Sequence, residues 1–288
     1  MLDALLLLMV AIWGANFSVI KLALRDFPQV PFNAFRLLLA SSVFLIALRL
    51  RRREDDPVLT RADWGRLLLL GVVGHLLYQL CFLAGVAKTS VANSSLIFGC
   101  TPVAVAILSS IAGHDRLGWP RWAGAGLSLA GIYAIVGHRA EMSSATLVGD
   151  ALVGAGMLCW SVYSVAAQPL LKRHSPMVVT GWSMAIGTAC YLVLAVEPML
   201  RTDWASISAF SWGLMTASSL LALAFAYMVW YTAVQRIGSA RTAVYSNLTP
   251  VVAMIVAALW LGEAVSGNQV FGAALILSGI AVNRLTPE

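Results

Sequence analysis

Two apolar stretches of the chain each carry one face of polar and aromatic side chains, a kind of surface that can bind a small molecule. The first face has residues spaced i, i+3, i+4 and i+7 along a helix: His75, Tyr78, Gln79 and Phe82. The second face has a related spacing: Tyr227, Trp230 and Tyr231. Amide, hydroxyl and ring groups would suit a neutral zwitterion or an aromatic solute, because ring faces attract ammonium groups by about 0.5–2 kcal/mol each.

Other apolar stretches offer residues of the same types, which could complete a cavity. These candidates are Trp13, Asn16, Ser94, Ser95, Trp160, Tyr163, Tyr245 and Asn247. Two simpler interpretations remain open. Trp and Tyr near the ends of membrane spans often act as interfacial anchors, and Ser, Asn and Gln inside spans often join neighbouring helices by hydrogen bonds.

The composition indicates which elements must position these residues. The chain has 288 residues, of which 60% are hydrophobic and 11% are charged, whereas soluble domains carry about 25% charged residues. Apolar runs of about 20 residues recur, and each can cross the hydrocarbon core of a bilayer. Backbone groups in lipid need internal partners, so the spans are helices or barrel strands. Uniformly apolar runs of this length favour helices over strands, and we predict an all-α membrane protein.

Ten transmembrane helices are predicted, at residues 3–24, 32–50, 64–87, 90–112, 119–138, 147–170, 177–196, 211–235, 240–261 and 267–285. The loops between them are short and leave no room for a soluble domain. Most of the 19 Lys and Arg residues lie beside span ends on one side, and the richer side is expected to be cytoplasmic. Both termini are therefore predicted to be cytoplasmic. The same placement explains the net charge of +6 without a nucleic-acid partner.

The chain repeats itself at an offset of about 148 positions. Thr101-Pro102-Val103 falls on Thr249-Pro250-Val251, and Asp115 falls on Glu263. The repeats cover residues 1–140 and 147–285, with five spans each. Because five is odd, the second copy enters the membrane from the opposite face, which gives the inverted repeat found in many secondary transporters. Pro102 and Pro250 each free a backbone carbonyl, and their equivalent positions make them candidate hinges.

Two basic residues near span ends could meet an anion. Burying Arg36 at mid-membrane would cost about 2.5–3.5 kcal/mol. Since it lies within a turn or two of the start of its span, we expect it to snorkel to the interface or pair structurally rather than clamp a carboxylate or phosphate. Lys21 could receive an anionic group at the extracellular mouth.

The motifs that the sequence lacks exclude several chemistries. It has no GxxxxGK[ST], HExxH or GxSxG, and no carboxylate lies in the middle of a span. We therefore predict no catalytic residue, no metal ligand and no cofactor, and no enzymatic activity. The four cysteines lie inside spans without paired spacing and are interpreted as small core residues. His75 is the only near-neutral titratable side chain at depth, so we expect facilitated or weakly proton-coupled movement of the substrate.

Several motifs together resemble those of the drug/metabolite transporter superfamily, specifically its EamA-type exporters. They are Trp13-Gly14-Ala15-Asn16-Phe17 with Lys21, Arg36 within Phe35–Ala40, the two Thr-Pro-Val motifs, and Leu261-Gly262-Glu263 followed by Gln269, Gly272 and Gly279. The likeness covers essentially the whole chain and extends to bacterial aromatic amino-acid exporters. Two departures are His114-Asp115, where the family often has Gly-Glu, and Gln168-Pro169, where a basic residue like Lys21 would be expected.

The resemblance implies export of small metabolites, amino acids prominent among them, by alternating access. It also implies a central cavity lined by the first four helices of each repeat, and a location in the bacterial inner membrane. A monomer would suffice, because two five-helix halves can close a cavity between them.

Several alternatives stay open at this point. A sugar-phosphate or other metabolite exchanger of the same superfamily would need basic residues deep in both halves, and only the level of Lys21 and Arg36 supplies them. A multidrug exporter would use the same cavity. An intramembrane enzyme would need a catalytic or metal cluster at depth, and none is apparent. A scaffold that transports nothing would have no reason to bury polar and aromatic faces.

Overall fold

The computed structural model describes residues 2–51, 58–113 and 144–285, with a few isolated positions between 123 and 131. These residues are helical or lie in short connections, and none forms a strand. The predicted fifth span, 119–138, lies outside the described residues apart from those isolated positions. The predicted all-α membrane fold is confirmed.

Seven helical stretches within the described ranges are long and apolar enough to cross a membrane: Leu2–Ala23, Gln29–Arg51, Arg61–Lys88, Val91–Ile111, Thr146–Leu171, Pro176–Leu200 and Ala209–Ile237. They coincide with the predicted spans one to four and six to eight. Thr249–Leu261 is a shorter apolar helix in the region of the ninth predicted span. A 19-residue helix, Gly267–Leu285, lies where the tenth was expected.

The α-helices in chain order are α1 Leu2–Ala23, α2 Gln29–Arg51, α3 Arg61–Gly71, α4 Tyr78–Lys88, α5 Val91–Phe98, α6 Thr101–Ile111, α7 Ser144–Ala166, α8 Gln168–Leu171, α9 Pro176–Leu200, α10 Ala209–Ala217, α11 Ala226–Ile237, α12 Ser239–Tyr245, α13 Thr249–Leu261 and α14 Gly267–Leu285. Short 3₁₀ turns lie at Trp204–Ser206 and Ser246–Leu248. The numbering counts the described helices only.

Two spans contain a wide π-helical stretch that the sequence pattern did not predict. The first π segment, Val72–Leu77, joins α3 to α4. The second π segment, Ser218–Phe225, joins α10 to α11. An offset of 148 positions superimposes most of the second on the first. Insertions of this kind are rare in α-helices and frequent at functional sites, so they mark these two spans for attention.

The two Thr-Pro pairs each begin a new helix. α5 ends at Phe98, and α6 starts at Thr101 with Pro102 in its first turn. Proline lacks the N–H that would bond the Phe98 carbonyl four residues earlier, and the Thr101 hydroxyl donates to that oxygen at 2.6 Å instead. Pro250 likewise lies in the first turn of α13. Pro102 and Pro250 were predicted as candidate hinges, and near each of them the α-helix is interrupted, by a turn at Gly99 and Cys100 and by the 3₁₀ turn Ser246–Leu248.

Side chains at the helix ends join the two halves of the chain. At the end where α3 begins, the Asp63 carboxylate accepts hydrogen bonds from the Thr60 backbone and hydroxyl and lies 3.0 Å from an Arg173 guanidinium nitrogen. The His174 ring lies 3.3 Å from the same carboxylate. At the end where α1 finishes, the carboxylate of Asp26 accepts hydrogen bonds from Ser208 and Ser211. α2, with 23 residues and a length of about 35 Å, runs between the two ends.

Candidate functional site

A cluster of aromatic rings from both halves of the chain lies at the centre of the bundle. The Trp13 and Trp160 rings meet edge to face at 5.5 Å between centroids. Trp160 lies 5.0 Å from Tyr227 and 5.4 Å from Trp230, and Trp13 lies 5.5 Å from Trp230. Edge-to-face and tilted ring pairs stabilise such packing by about 0.5–1.5 kcal/mol each beyond area burial. The rings therefore form a firm wall built from α1, α7 and α11.

A cavity opens beside these rings, and we refer to it as the central cavity. Its lining is Trp13, Asn16, Phe17, Arg36, Tyr78, Phe82, Phe98, Thr101, Trp160, Ala222, Leu223, Tyr227, Ser246 and Thr249. The space that can hold the centres of water molecules is about 50 Å³. One water needs about 10–15 Å³ on this measure. The central cavity thus has room for a few waters in this conformation and has to widen to hold a metabolite.

Arg36 is the unexpected member of this lining. Arg36 is 1% exposed, so it does not snorkel to the interface, the first of the two alternatives that we expected; the second was structural pairing. One guanidinium nitrogen donates to Asn33 Oδ1 at 3.1 Å, Nε has no hydrogen-bond partner, and the group lies 5.4 Å from the centre of the Phe32 ring. No carboxylate among the described residues pairs with it. A buried charge without a counter-charge is expensive.

The backbone around Arg36 is tied to the second π segment. Ser219 Oγ donates to the Arg36 carbonyl oxygen at 2.7 Å. The preceding residue, Ser218, donates to Asn16 Oδ1 at 2.5 Å. The π-helical stretch thus links α1 and α2, which carry Asn16 and Arg36 of the central cavity.

Several predicted residues lie behind the central cavity and support its wall. His75 Nε2 lies 2.8 Å from the Tyr163 hydroxyl, and the Ser183 hydroxyl lies within 3.3 Å of both groups. The His75 ring stacks on Tyr227 at 5.6 Å. The Tyr231 ring packs against Tyr163 at 5.2 Å. These side chains pack behind Tyr227, on the side of its ring that faces away from the cavity.

Gln79 and Trp230 are buried behind the same wall. Gln79 is 1% exposed, and neither atom of its amide has a hydrogen-bond partner. Trp230 is fully buried, and its indole nitrogen is also without a partner. Buried polar groups without partners are uncommon in folded proteins and call for an explanation.

Four other predicted residues lie elsewhere. Ser94 and Ser95 are buried in α5 and donate to backbone oxygens of their own turn, at Ser90 and Ala92, a common way to satisfy a hydroxyl within a helix. The Tyr245 hydroxyl donates to Asp3 Oδ1 at 2.6 Å at a helix end. The side chain of Asn247 lies outside the described part of the structure.

Lys21, which we predicted could receive an anionic group at the extracellular mouth, pairs with a carboxylate of the chain itself. Its Nζ lies 2.9 Å from Glu263 Oε1, and Glu263 Oε2 also accepts the backbone N–H of Val91 at 3.1 Å. Glu263 follows Gly262, which ends α13 with φ 65°, a left-handed conformation that suits glycine. The pair joins α1, α5 and α13 at one end of the bundle.

Several residues that line the cavity were not among the predicted binding residues. Phe17 and Phe98 are two of them. Thr101 and Thr249 precede the repeated prolines, and that repetition was the signal that could have identified them. Thr249 Oγ1 is buried without a hydrogen-bond partner, whereas the Thr101 hydroxyl donates to the carbonyl oxygen of Phe98 at the end of α5. No group of three or more His, Cys, Asp or Glu side chains in the described residues could hold a metal ion.

Comparison with known proteins gives this arrangement a context. The model of the EamA-like transporter family matches residues 1–137 and 147–285. A transporter of Archaeoglobus fulgidus is 31% identical over 96% of this chain and 94% of its own. A protein of Salmonella typhimurium named "probable amino-acid metabolite efflux pump" is 27% identical, over 97% of this chain and 93% of its own.

Two further relatives extend the comparison. A protein of Streptantibioticus cattleyicolor named "probable terminal-alkyne amino-acid exporter" is 28% identical over 98% of this chain and 93% of its own. One solved crystal structure superimposes with a TM-score of 0.71, covering 98% of this chain and 96% of that chain at 21% identity. At that identity, the likeness is one of fold.

Proposed function

This chain belongs to the EamA-like transporter family, and we propose that it is a secondary-type transporter that exports small metabolites bearing a carboxylate, with amino acids, including aromatic ones, foremost. Transport proceeds by alternating access through the central cavity. The architecture we propose is ten transmembrane helices in two inverted five-helix repeats, at residues 1–140 and 147–285. The protein works as a monomer in the bacterial inner membrane, with both termini cytoplasmic and no cofactor.

One observation carries this proposal: Arg36 is a fully buried guanidinium beside the central cavity and has no carboxylate partner among the described residues. A planar guanidinium matches a carboxylate in two parallel hydrogen bonds. Nε is without a partner in this state and is therefore free to donate. A bound carboxylate would supply the missing counter-charge.

The walls of the cavity supply the rest of the site. Trp13, Tyr78, Phe82, Trp160 and Tyr227 offer apolar area for the body of the substrate. One of the named relatives is a probable terminal-alkyne amino-acid exporter, and another is a probable amino-acid metabolite efflux pump. These names support an amino acid as the first class to test. The Tyr227 hydroxyl, which is without a hydrogen-bond partner, and the Asn16 amide are the polar groups that could orient it.

Alternating access needs parts that can move, and the helix breaks are the candidates. Pro102 and Pro250 start helices at equivalent positions of the repeats. A Cβ built on Gly99 would lie 3.0 Å from Pro250 Cγ, so the two breaks touch each other. Movement at this crossing would widen the central cavity toward one end or the other, which is how discontinuous helices function in other transporters.

Purified protein in liposomes tests the proposal directly. Efflux is measured over the twenty amino acids, sugar phosphates and cationic dyes, for the wild type and for Arg36→Gln and Trp160→Ala. We expect efflux of at least one amino acid, and a loss of about tenfold or more in Arg36→Gln. Arg66→Gln, an exposed arginine at a span end, is the matched control and leaves efflux unchanged.

The alternative functions predict different results in the same assay. Sugar-phosphate flux without amino-acid flux would identify the exchanger. Dye flux that Arg36→Gln leaves intact would identify a multidrug exporter. An absence of flux for every compound, in protein that remains folded, would favour a scaffold. An imposed pH gradient forms a further arm, in which strong proton-driven uphill efflux would contradict facilitated or weakly coupled transport.

A further inference from the structure

The central cavity has an unequal charge balance. Among the described residues that line it, Arg36 is the one with a formal charge, and none is acidic. A zwitterion placed there would neutralise the guanidinium with its carboxylate and leave its own ammonium group without a counter-charge. The net charge of the buried site would then remain +1, whereas a simple carboxylate would bring it to zero.

The acidic residues near the bundle ends are already engaged. Asp150 accepts hydrogen bonds from the Thr89 hydroxyl at 2.6 Å and from the Asn93 amide at 3.2 Å. Asp3 accepts the hydroxyl of Tyr245, and Glu263 pairs with Lys21. None of these carboxylates belongs to the cavity lining, so none offers the ammonium group of a substrate a partner.

Ring faces could replace a carboxylate as partners for an ammonium group, but here they are largely occupied. The Trp160 ring packs against five other rings: Trp13, Tyr78, Tyr163, Tyr227 and Trp230. Trp13 also meets the edge of Tyr227. A cation next to these rings would be repelled by the guanidinium of Arg36, because charges inside a protein interact more strongly than in bulk water.

The oxygen atoms of the lining are poor substitutes. Asn16 Oδ1 accepts a hydrogen bond from Ser218, and Ser246 donates to the Ala243 carbonyl. The Tyr227 hydroxyl and Thr249 Oγ1 are free, and each can donate to a carboxylate as readily as it can accept from an ammonium group. Because both hydroxyls lie in the cavity with Arg36, donating to the carboxylate of the substrate would add to the anion site that the guanidinium forms.

We propose that the central cavity selects its substrate by the carboxylate and the apolar body, and does not recognise the ammonium group. This inference rests on the proposed function and narrows it. 2-Oxo and 2-hydroxy acids with the same side chain are then carried at least as well as the amino acid, and the corresponding amine without a carboxylate is not carried.

Two matched series of compounds test the inference in liposomes containing the full chain. The first is phenylalanine, phenylpyruvate, phenyllactate and phenethylamine. The second is leucine, its 2-oxo acid, its 2-hydroxy acid and isopentylamine. Within each series the body is constant and the group beside the carboxylate changes. We expect the 2-oxo and 2-hydroxy acids to show a KM equal to that of the amino acid or about threefold below it. We expect the amine to be carried at less than about a tenth of the rate of the amino acid.

The variants Arg36→Gln and Arg36→Lys separate the role of charge from folding. Arg36→Lys keeps the charge, and we expect it to preserve the order of the compounds even if its rates fall. Arg36→Gln removes the charge, and we expect it to abolish the advantage of the 2-oxo acid. Tryptophan fluorescence and size-exclusion behaviour show whether each variant is folded.

The outcomes bear differently on the two proposals. Transport of phenylalanine or leucine without transport of their 2-oxo and 2-hydroxy analogues would overturn this inference and leave the proposed function standing. Transport of the amine at the rate of the amino acid would also overturn it. Failure of every carboxylate, when dyes or sugar phosphates are carried, would remove the proposed function and this inference with it.

Discussion

The indole nitrogen of Trp13 donates a 3.0 Å hydrogen bond to the carbonyl oxygen of Ala222, 209 positions away along the chain. Trp13 belongs to α1, and Ala222 belongs to the second π segment. The bond therefore joins the first predicted repeat to the irregular backbone of the second, at the edge of the central cavity. It also fixes the orientation of the Trp13 ring, which packs on Trp160 and Trp230.

Replacing Trp13 by phenylalanine removes this hydrogen bond and keeps an aromatic body. We expect about a tenfold fall in transport and a loss of about 1 kcal/mol of stability, the value of a typical buried hydrogen bond. Trp64→Phe is the control, because Trp64 is 39% exposed at the start of α3. Efflux and thermal unfolding are measured together. Equal effects from both substitutions would show that the Trp13–Ala222 bond has no special role.

The close approach of α9 to α3 and the first π segment predicts a strong effect of one added methyl group at Gly187. A Cβ built on Gly187 in α9 would lie 2.3 Å from His75 Cβ and 2.5 Å from the Gly71 carbonyl oxygen. Since the backbone of α3 cannot yield, we expect Gly187→Ala to destabilise the protein by about 1–3 kcal/mol. Gly154 in α7 has nothing within 4 Å of a built Cβ.

Gly154→Ala is the matched control, and we expect it to be neutral or to stabilise its helix by about 0.5–1 kcal/mol. Thermal unfolding in detergent measures both variants. A Gly187→Ala protein as stable as the wild type would mean that α9 and the first π segment can separate without penalty.

The ion pair between Lys21 and Glu263 predicts a structural and not a binding role for Lys21. The two side chains are 27% and 21% exposed, so the coupling energy in a double-mutant cycle with Lys21→Met and Glu263→Gln should be about 1 kcal/mol. We expect the KM of a transported carboxylate to stay within about twofold in Lys21→Met. A KM that rises tenfold would instead identify Lys21 as a second anion site.

Asp26 gives the protein a predictable response to acid. Hydrogen bonds from the Ser208 side chain and from Ser211 lower the pKa of Asp26 below its usual value of 3.8. A carboxyl group with a lowered pKa stabilises the folded state above about pH 4, and this contribution is lost as the pH falls through the folded pKa. Asp26→Asn should therefore show a constant deficit in unfolding temperature between pH 8 and about pH 5.

As the pH falls below about 4 and on through the lowered pKa of folded Asp26, the unfolding temperatures of Asp26→Asn and the wild type should converge, because Asp26 is then neutral in the folded and the unfolded protein. Thermal unfolding followed by tryptophan fluorescence across the pH range measures this. Asp203→Asn, which changes a nearby loop carboxylate that accepts a hydrogen bond from Ala205, is the comparison. If the unfolding temperature of Asp26→Asn stays below that of the wild type at low pH, the substitution acts through packing and not through the charge of Asp26.

Much of the fold was predictable because transfer of apolar runs into lipid depends on composition and length alone. Seven of the predicted spans recur as long apolar helices. The Thr-Pro pairs marked the helix breaks, since the missing N–H of proline is a local property. The π segments were not predictable, because no residue type or period distinguishes a wide turn from an α-turn.

The candidate site was predictable in kind and only partly in position. Helical spacing identified aromatic and polar faces, and Tyr78, Phe82 and Tyr227 line the central cavity. The same spacing could not separate these residues from Gln79 and Trp230, which lie one layer behind. Whether a residue lines the cavity or lies behind its wall depends on the rotation of its helix about the helix axis. Contacts with other spans set that rotation.

The sequence alone determined that this chain is a helical membrane protein and which residue types could line a cavity, and its internal similarity predicted that the spans recur in two related sets. Those properties follow from hydrophobic transfer and backbone geometry, which act locally. The tertiary structure decided the electrostatics. Arg36 near a span end could have reached water, and Lys21 could have stood alone. Packing of the second π segment against α2 enclosed Arg36, and the end of α13 brought Glu263 to Lys21. Burial and pairing were decided in this way because they depend on neighbours that are distant in the chain.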